Sequence, residues 1–390
     1  MTMRFPRPVH LAIAAAAGVA VGGTAVYVWT SSRRREIIST REAASPLRAL
    51  ELEHPALKHG VPRTTHFRTF SSYVAEYDPR LRNPRYVLEH FTPEVLRGDG
   101  NRSNSFFKED STLDPRFRSR LDDYRNSGYD RGHMAPAANH KRSQEAMDDT
   151  FILTNTCPQV GQGFNRDYWA RFERFVQKVA ERCDDVYVVT GPCYLPQPGP
   201  AGWAMKHSML GQPPRMQAVP THFYKVVLGE RRNGSTDSTV LGAFVLPNMP
   251  IDPKTPLASF AVPVSSLEEV VGISFFPKFL EKKKRLAVDQ VSLQWQRNGH
   301  AELSQLKLPA GSGGVGATGS PPLLPPPPSS VIAIPELKPK SPGYGMEHIC
   351  EHNGCRLPGE RWWEANKKAV AKDLRRTKSS PALARAMPPK

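Results

Sequence analysis

Asp130, Arg131, Gly132 and His133 stand side by side within the stretch YDRGHMAPAANH. A histidine near its ordinary pKa of roughly 6.5 can take a proton from water at neutral pH. The neighbouring guanidinium of Arg131 offers a planar fork of donors matched to phosphate oxygens. A general base beside a permanent cation, on a tight backbone that glycine permits, suits attack on a phosphodiester. The motif alone is a weak signal, because a single histidine is more often structural, and Arg131 could simply pair with Asp130.

The chain downstream adds candidates. Asn155 follows the apolar run Phe151, Ile152, Leu153 and reads as the cap of a buried strand. Asn165 is predicted to open a helix whose apolar residues Trp169, Phe172, Val176, Val179 and Cys183 recur at spacings of three and four. Glu173 lies eight residues beyond Asn165. In a helix that separation puts their α-carbons about 12 Å apart with a net rotation of about 80°. The two side chains can share one region of a site but not easily one metal's ligand shell. Asn165 is then the direct ligand, and Glu173 holds metal-bound water. The plainer readings are a helix N-cap for Asn165 and a solvated helix-face charge for Glu173. His140, Lys141 and Arg142 read as a solvated basic turn.

Several stretches beyond these carry a resemblance: SYVAEYDPRLRNPRYVLEH, RGDGNRSNSFFKEDSTL, SGYDRGHMAPAANH, AMDDTFILTNTCPQ, NRDYWARFE, VYVVTGPCYLPQ, AVPTHFYKVVL and FVLPNMPID. Together, in this order, they resemble the DNA/RNA non-specific endonucleases with a ββα-metal site, and within them the mitochondrial, endonuclease G-like branch. The resemblance spans roughly residues 57–280. It implies His133 as general base and Asn165 as metal ligand, with supporting roles for Asn155, Glu173 and Arg131. It implies Arg102 as a second phosphate-contacting arginine. It further implies Mg²⁺, or Mn²⁺ in its place, as cofactor, with hydrolysis leaving 5′-phosphate and 3′-hydroxyl ends. The backbone of DNA and RNA would be the substrate, read with little sequence discrimination, and a homodimer the expected assembly. Pro136 stands where that branch more usually has Ala, as in its exonuclease-like relative, so the choice between internal and end-wise cutting stays open.

These residues need a scaffold, and the composition sets its limits. The chain has 390 residues and a net charge of +16, enough length for a substantial core. The charge is unevenly spread. Residues 1–35 carry five Arg and no acid, residues 281–390 carry 18 basic against nine acidic, and residues 36–280 carry 30 against 28. The catalytic body is therefore nearly neutral, and affinity for a polyanion must come from a local cluster, with the basic ends adding unspecific attraction.

Strands are expected at 73–77 and 85–90, joined by the DPRLRNP turn, and at 186–190, 223–228 and 240–246. A short helix is expected from a Ser265 or Ser266 cap to Gly272, with Glu268 and Glu269 in its first turn. Strands and helices without regular alternation indicate an α+β fold, an antiparallel sheet core flanked by helices. The organisation read from composition is a targeting or transmembrane segment and linker over 1–45, an endonuclease domain over 46–308, a Pro/Gly-rich linker over 309–345, and a basic extension over 346–390.

The run 11–29 is almost wholly apolar, flanked by Arg4 and Arg7 before it and Arg33, Arg34 and Arg35 after it. It is long enough to form a membrane-crossing helix. The Arg-bearing flanks fit mitochondrial targeting, with the run as an inner-membrane anchor or a removed presequence and the enzyme in the inner membrane or intermembrane space; a secretory signal is the competing reading. In the extension, His348, Cys350, His352 and Cys355 fit none of the common zinc spacings, and a local disulfide or reduced thiols are expected instead. Three functions compete: a mitochondrial Mg²⁺-dependent endonuclease, an end-cutting nuclease restricted by its extension, and a catalytically silent nucleic-acid-binding protein. The last has no use for a general base.

Overall fold

The structure is a computed structural model, and it describes residues 65–305 apart from Ala201, Gly234, Ser235 and Glu281, residues 346–359, and four positions between 56 and 62. The apolar run 11–29, the linker 309–345 and the tail bearing Trp362, Trp363 and Val370 lie outside the described residues. No helix among the described residues is long and apolar enough to cross a membrane.

The first strands are β1 (His66–Thr69), β2 (Tyr73–Asp78), β3 (Asn83–Phe91), β4 (Tyr129–His133), β5 (Thr156–Val160) and β6 (Asp185–Cys193). Two small hairpins follow, β7 (Gln197–Gly199) with β8 (Gly202–Ala204), and β9 (Met209–Gln212) with β10 (Arg215–Ala218). The long strands β11 (His222–Asn233) and β12 (Thr236–Pro247), then β13 (Ala261–Val262) and β14 (Met346–His348), complete the set. The main sheet has eight strands in the order β1-β2-β3-β6-β11-β12-β13, with β14 beside β12. Each pairing along that order is antiparallel, and β14 is parallel to β12. The expected mixed fold with an antiparallel sheet is the fold observed.

Both faces of this sheet are covered. On β11 the alternation of side chains puts Phe223 and Val227 into one apolar cluster and Tyr224, Val226 and Leu228 into the other. A strand buried on both sides shows no polar-apolar alternation, which is why this segment reads as aromatic and β-branched residues on both faces, with Lys225 as the exception. Helix α1 (Gln144–Asp149) follows the histidine-bearing loop, and α2 (Trp169–Ala180) lies across the first face. Its Trp169, Phe172, Val176 and Val179 are buried as the periodicity requires. On the second face sit α3 (Val264–Val271) and Val288 of α4 (Lys282–Gln305).

Two local expectations differ from what is observed. Helix α3 starts at Val264 with no side-chain cap from Ser265 or Ser266. The Asp289 carboxylate instead accepts from the Val264 N–H at 2.6 Å, a partner 25 residues away that no local pattern announces. Gly272 does end the helix, at φ 65°. Residues 151–153 are not a strand: Phe151 lies in a turn, Ile152 forms a single parallel β-bridge with Lys108, and Leu153–Asn155 forms a 3₁₀ turn that leads into β5.

The segment 346–358 packs into the first face. β14 adds to β12, and the short helix α5 (Ile349–Asn353) with the turn after it buries Ile349, Cys350 and Cys355 in the apolar cluster. Cys350 and Cys355 form the disulfide that the spacing left as one alternative. Among the described residues Cys157, Cys183 and Cys193 are free and buried. The Pro358 carbonyl accepts from Arg171 Nε at 2.9 Å, which ties this segment to α2.

Candidate active site

β4 and β5 pair antiparallel outside the main sheet, from Tyr129 opposite Val160 to His133 opposite Thr156. The chain leaves β5 at Gly161 and turns into the helical run that becomes α2. Gly163 has φ 80°, and a Cβ there would lie 2.7 Å from Pro250 Cβ, so the turn requires glycine. Two strands and a helix thus form one unit, and every residue expected in the site except Arg102 lies in it or directly before it.

On β4 the twofold period places Arg131 and His133 on one face. The Arg131 guanidinium carbon lies 4.6 Å from the centre of the Phe107 ring, and its buried Nε has no hydrogen-bond partner. His133 packs against the same ring at 5.2 Å and meets Phe151 edge-on at 4.8 Å. Its Nε2 is buried and unpartnered as well. Burial, with Arg102, Arg131 and His140 adding positive potential, pushes the imidazole pKa well below its ordinary value. His133 is therefore neutral at physiological pH, the form able to accept a proton. Gly132 serves close approach here, not a turn. A Cβ on it would fall 1.9 Å from Gln159 Oε1 across the strand pair.

Asn155 is fully buried and clamps the chain immediately after the histidine. Its Oδ1 accepts from the Ala135 N–H at 2.9 Å, and its Nδ2 donates to the carbonyls of Ala135 at 2.9 Å and Thr150 at 2.8 Å. The amide is saturated by backbone, so it acts on His133 by holding the backbone beside it.

Asn165 sits in the first turn of the helical run but caps nothing. Its Nδ2 donates to Asp130 Oδ2 at 2.9 Å, so Asp130 and Asn165 bridge strand and helix. Arg166 Nε donates to the same Oδ2 at 2.7 Å, and the second guanidinium nitrogen pairs with Asp130 Oδ1. Asp130 is thus paired with Arg166, and Arg131 is left to face the aromatic wall. Because the amide nitrogen is committed, the side chain presents Oδ1 as its acceptor.

Glu173 is raised to about 7, chiefly by burial, with Lys225 opposing and Glu89 reinforcing the shift. Lys225 is buried at 1% exposure, donates to Thr190 Oγ1 at 2.8 Å, and lies 4.8 Å from the Trp169 ring centre. His140 is buried too. It bonds to Glu89 Oε1 through Nε2 at 3.0 Å and to Ser72 Oγ through Nδ1 at 2.7 Å. The expected solvated turn is therefore half an interior network, in which Asn139 donates to Glu89 and Gln177 of α2 donates to Asn139. Arg102 is exposed on the 3₁₀ turn Arg102–Asn104, with its guanidinium carbon 5.4 Å from the Phe151 ring centre.

Sequence reasoning missed Phe107, Phe151, Asp130 as the anchor of Asn165, Arg166, Glu89 and Lys225. Alternation around Lys108 could have turned Phe107 inward, but nothing local could pair it with β4. Among the described residues no cluster of three or more His, Cys, Asp or Glu could hold a metal. The candidate donors are instead the Asn165 amide oxygen and the Glu173 carboxylate, both oxygen. That set fits a hard cation that keeps most of its water, and not zinc.

The raised Glu173 pKa carries a stability consequence. Ionising the folded group becomes costly as pH rises from its ordinary value of 4.5 toward about 7, and the full cost remains above that. Glu173→Gln is expected to raise the thermal midpoint of the metal-free protein at about pH 8, with little effect near pH 4.5. A lower midpoint at the higher pH in a calorimetric scan would mean that cations hold the carboxylate more strongly than burial opposes it.

Residues 53–282 match the family of DNA/RNA non-specific endonucleases. The mitochondrial nuclease of Saccharomyces cerevisiae is 44% identical over 243 residues, covering 61% of this chain and 74% of that protein. The mitochondrial endonuclease G of Homo sapiens is 41% identical over 226 residues, covering 58% and 74%. Among solved structures, a chain of the EndoG/EndoGI complex is similar with a TM-score of 0.54 and 43% identity, covering 58% of this chain and 92% of that one. The candidate site is built around a strand pair and a helix. The chain belongs to the DNA/RNA non-specific endonuclease family and is an endonuclease, a phosphodiester hydrolase.

Proposed function

We propose that this protein hydrolyses DNA and RNA with one bound Mg²⁺, for which Mn²⁺ can substitute, leaving 5′-phosphate and 3′-hydroxyl ends. The observation that carries the reading is the pair of buried, unpartnered donor and base atoms, Arg131 Nε and His133 Nε2, on one face of β4. Buried polar atoms without partners are costly, and a phosphodiester with its attacking water would satisfy both.

In this reading neutral His133 takes the proton from the attacking water. Arg131 and Arg102 offset the charge that grows on the phosphate oxygens. Asn165 Oδ1 would hold the cation directly, and the Glu173 carboxylate would hold water bound to it. The bound cation would polarise the phosphate and stabilise the leaving 3′ oxygen. Asn155 positions His133 through the Ala135 backbone, and Asp130 orients Asn165. Assembled this way, β4, β5 and the helix act as a ββα-metal site.

The test is direct. The full chain is incubated with covalently closed circular DNA, linear DNA and RNA, with Mg²⁺ or with chelator. The expected result is cleavage of all three in Mg²⁺ alone, with the circle nicked as readily as the linear form is cut. Cutting that needs a free end would favour the exonuclease-like alternative, and binding without cleavage would favour the silent one.

The location we propose is mitochondrial, in the inner membrane or the intermembrane space, in keeping with the acid-free, Arg-flanked apolar run and the mitochondrial names of the relatives. There the enzyme would be kept from matrix DNA until a membrane is breached. Residues 1–45 fused to a neutral reporter should carry it to mitochondria. Reporter in the endoplasmic reticulum or the medium would overturn this. The active assembly we propose is a homodimer, which sedimentation of the purified chain would check.

A further inference from the structure

Two exposed turns beside the site interlock, and only one of them enters the mechanism above. The turn that carries Arg102 is seated on the turn that follows His140. The Gly100 N–H donates to the Lys141 carbonyl at 2.9 Å, and the Asn101 N–H donates to Gln144 Oε1 at 2.9 Å. A Cβ on Gly98 would lie 2.3 Å from the Lys141 carbonyl oxygen, so the first turn lies directly against the second. Beneath them, Gln144 Nε2 donates to Ser105 Oγ at 3.0 Å and to Asp148 Oδ1 at 2.8 Å. Ser105 Oγ donates to the same Asp148 oxygen at 2.6 Å, which closes the junction.

This lock fixes the position of two further cations. Lys141 and Arg142 are exposed, and neither pairs with an acid among the described residues. They are held by backbone contacts rather than by their own side chains, so both cationic ends remain available. From them a continuous path leads inward, through the Arg102 turn to Phe151 at 5.4 Å and from Phe151 to His133 at 4.8 Å. A polyanion whose scissile phosphate lies at His133 and Arg102 would pass this ridge within a few nucleotides. Asp99 lies on the first turn and Glu145 in the first turn of α1, while Asp148 accepts two bonds beneath the junction, so the ridge stays positive without being broad. The nearly neutral catalytic body needs such a local cluster to hold a polyanion.

We propose that Lys141 and Arg142 form a phosphate-binding ridge that holds the nucleic-acid backbone beside the scissile bond, with Arg102 as its inner end. The inference rests on the nuclease reading above. The ridge grips the strand without touching the reacting atoms, so its contribution is uptake and register.

The experiment compares the full-length protein with Lys141→Ala/Arg142→Ala and with the charge-keeping Lys141→Arg/Arg142→Lys. Each phosphate contact contributes about 0.9 to the slope of log affinity against log salt on duplex DNA. The alanine pair should therefore reduce that slope by about 1.8 and raise KM for duplex DNA by more than it lowers kcat, and the charge-keeping pair should restore both. An unchanged salt slope and KM would overturn the proposal. So would an equal fall in kcat and kcat/KM with the slope retained, because that is the mark of a disturbed Arg102 turn. If the unaltered protein fails to cleave nucleic acid in Mg²⁺, the nuclease reading fails instead, and the two failures are distinguishable.

Discussion

His133→Ala should lower the turnover of plasmid DNA by about 10²–10⁴-fold, equivalent to about 2.7–5.4 kcal/mol of transition-state stabilisation. The loss should fall on kcat, with DNA affinity nearly intact. The ring lies between Phe107 and Phe151 with its Nε2 unpartnered, so truncation removes proton transfer without breaking a hydrogen bond. Arg131 and Arg102, which would meet the phosphate in this reading, remain in place. The unaltered enzyme should also show no acid limb of activity belonging to His133 near its ordinary pKa of 6.5, because burial, with Arg102 and Arg131 nearby, holds the imidazole pKa well below that. An alanine variant that cuts plasmid at near-normal rates would remove His133 from the role of base. An Asn155→Ala variant offers a contrast. It should lower activity by loosening the Ala135 backbone, and it should also lower thermal stability, because three buried bonds go with it.

The second large effect belongs to Asn165. Asn165→Ala should abolish cleavage at ordinary Mg²⁺ concentrations and recover part of it at high concentrations, since one oxygen ligand is lost and the Asp130–Arg166 pair that supports the fold is kept. Asp130→Ala should act in the same direction by freeing the orientation of Asn165, raising the Mg²⁺ requirement by about 10–100-fold, and should also lower thermal stability because the pair with Arg166 is lost. Asn165→Asp is the more discriminating variant. A carboxylate is the stronger ligand for a hard cation, yet here it would face the Asp130 carboxylate across the 2.9 Å now spanned by an N–H donor. Two like charges at that distance disfavour each other, so Asp at this position should not rescue metal dependence. An unchanged Mg²⁺ titration in Asn165→Ala would pass the ligand role to another residue, with Glu173 next in line.

The sequence itself determined those parts of the protein whose signal is local. The buried strands β6, β11 and β12 were legible because they are covered on both sides and admit little but apolar residues. Helix α2 was legible because its period of three and four matches the face it buries, and Gly272 because the helix end needs a left-handed residue. The candidate site residues were named by type and by order along the chain, since a proton acceptor, a phosphate-binding cation and an oxygen ligand would each demand a particular side chain.

What only the tertiary structure decided is who touches whom. Nothing in the run SNSFFKED says that Phe107 lies against Arg131 and His133, because those contacts join segments some 25 residues apart. Asp130 looks like the natural partner of adjacent Arg131. Strand alternation sends the two to opposite faces, where Asp130 meets Arg166 and Asn165 from the helix instead. His140 sits between polar neighbours and reads as solvated, yet the β3 residue Glu89 reaches it inside the molecule. The return of residues 346–358 to the edge of β12 follows a long stretch with no pattern of its own. It depends on the space above Gly242, where a Cβ would lie 2.3 Å from Ile349 Cγ2. Periodicity records the environment averaged along one element, and so it reports burial. Partners across elements are chosen by shape and charge complementarity, which no single segment carries.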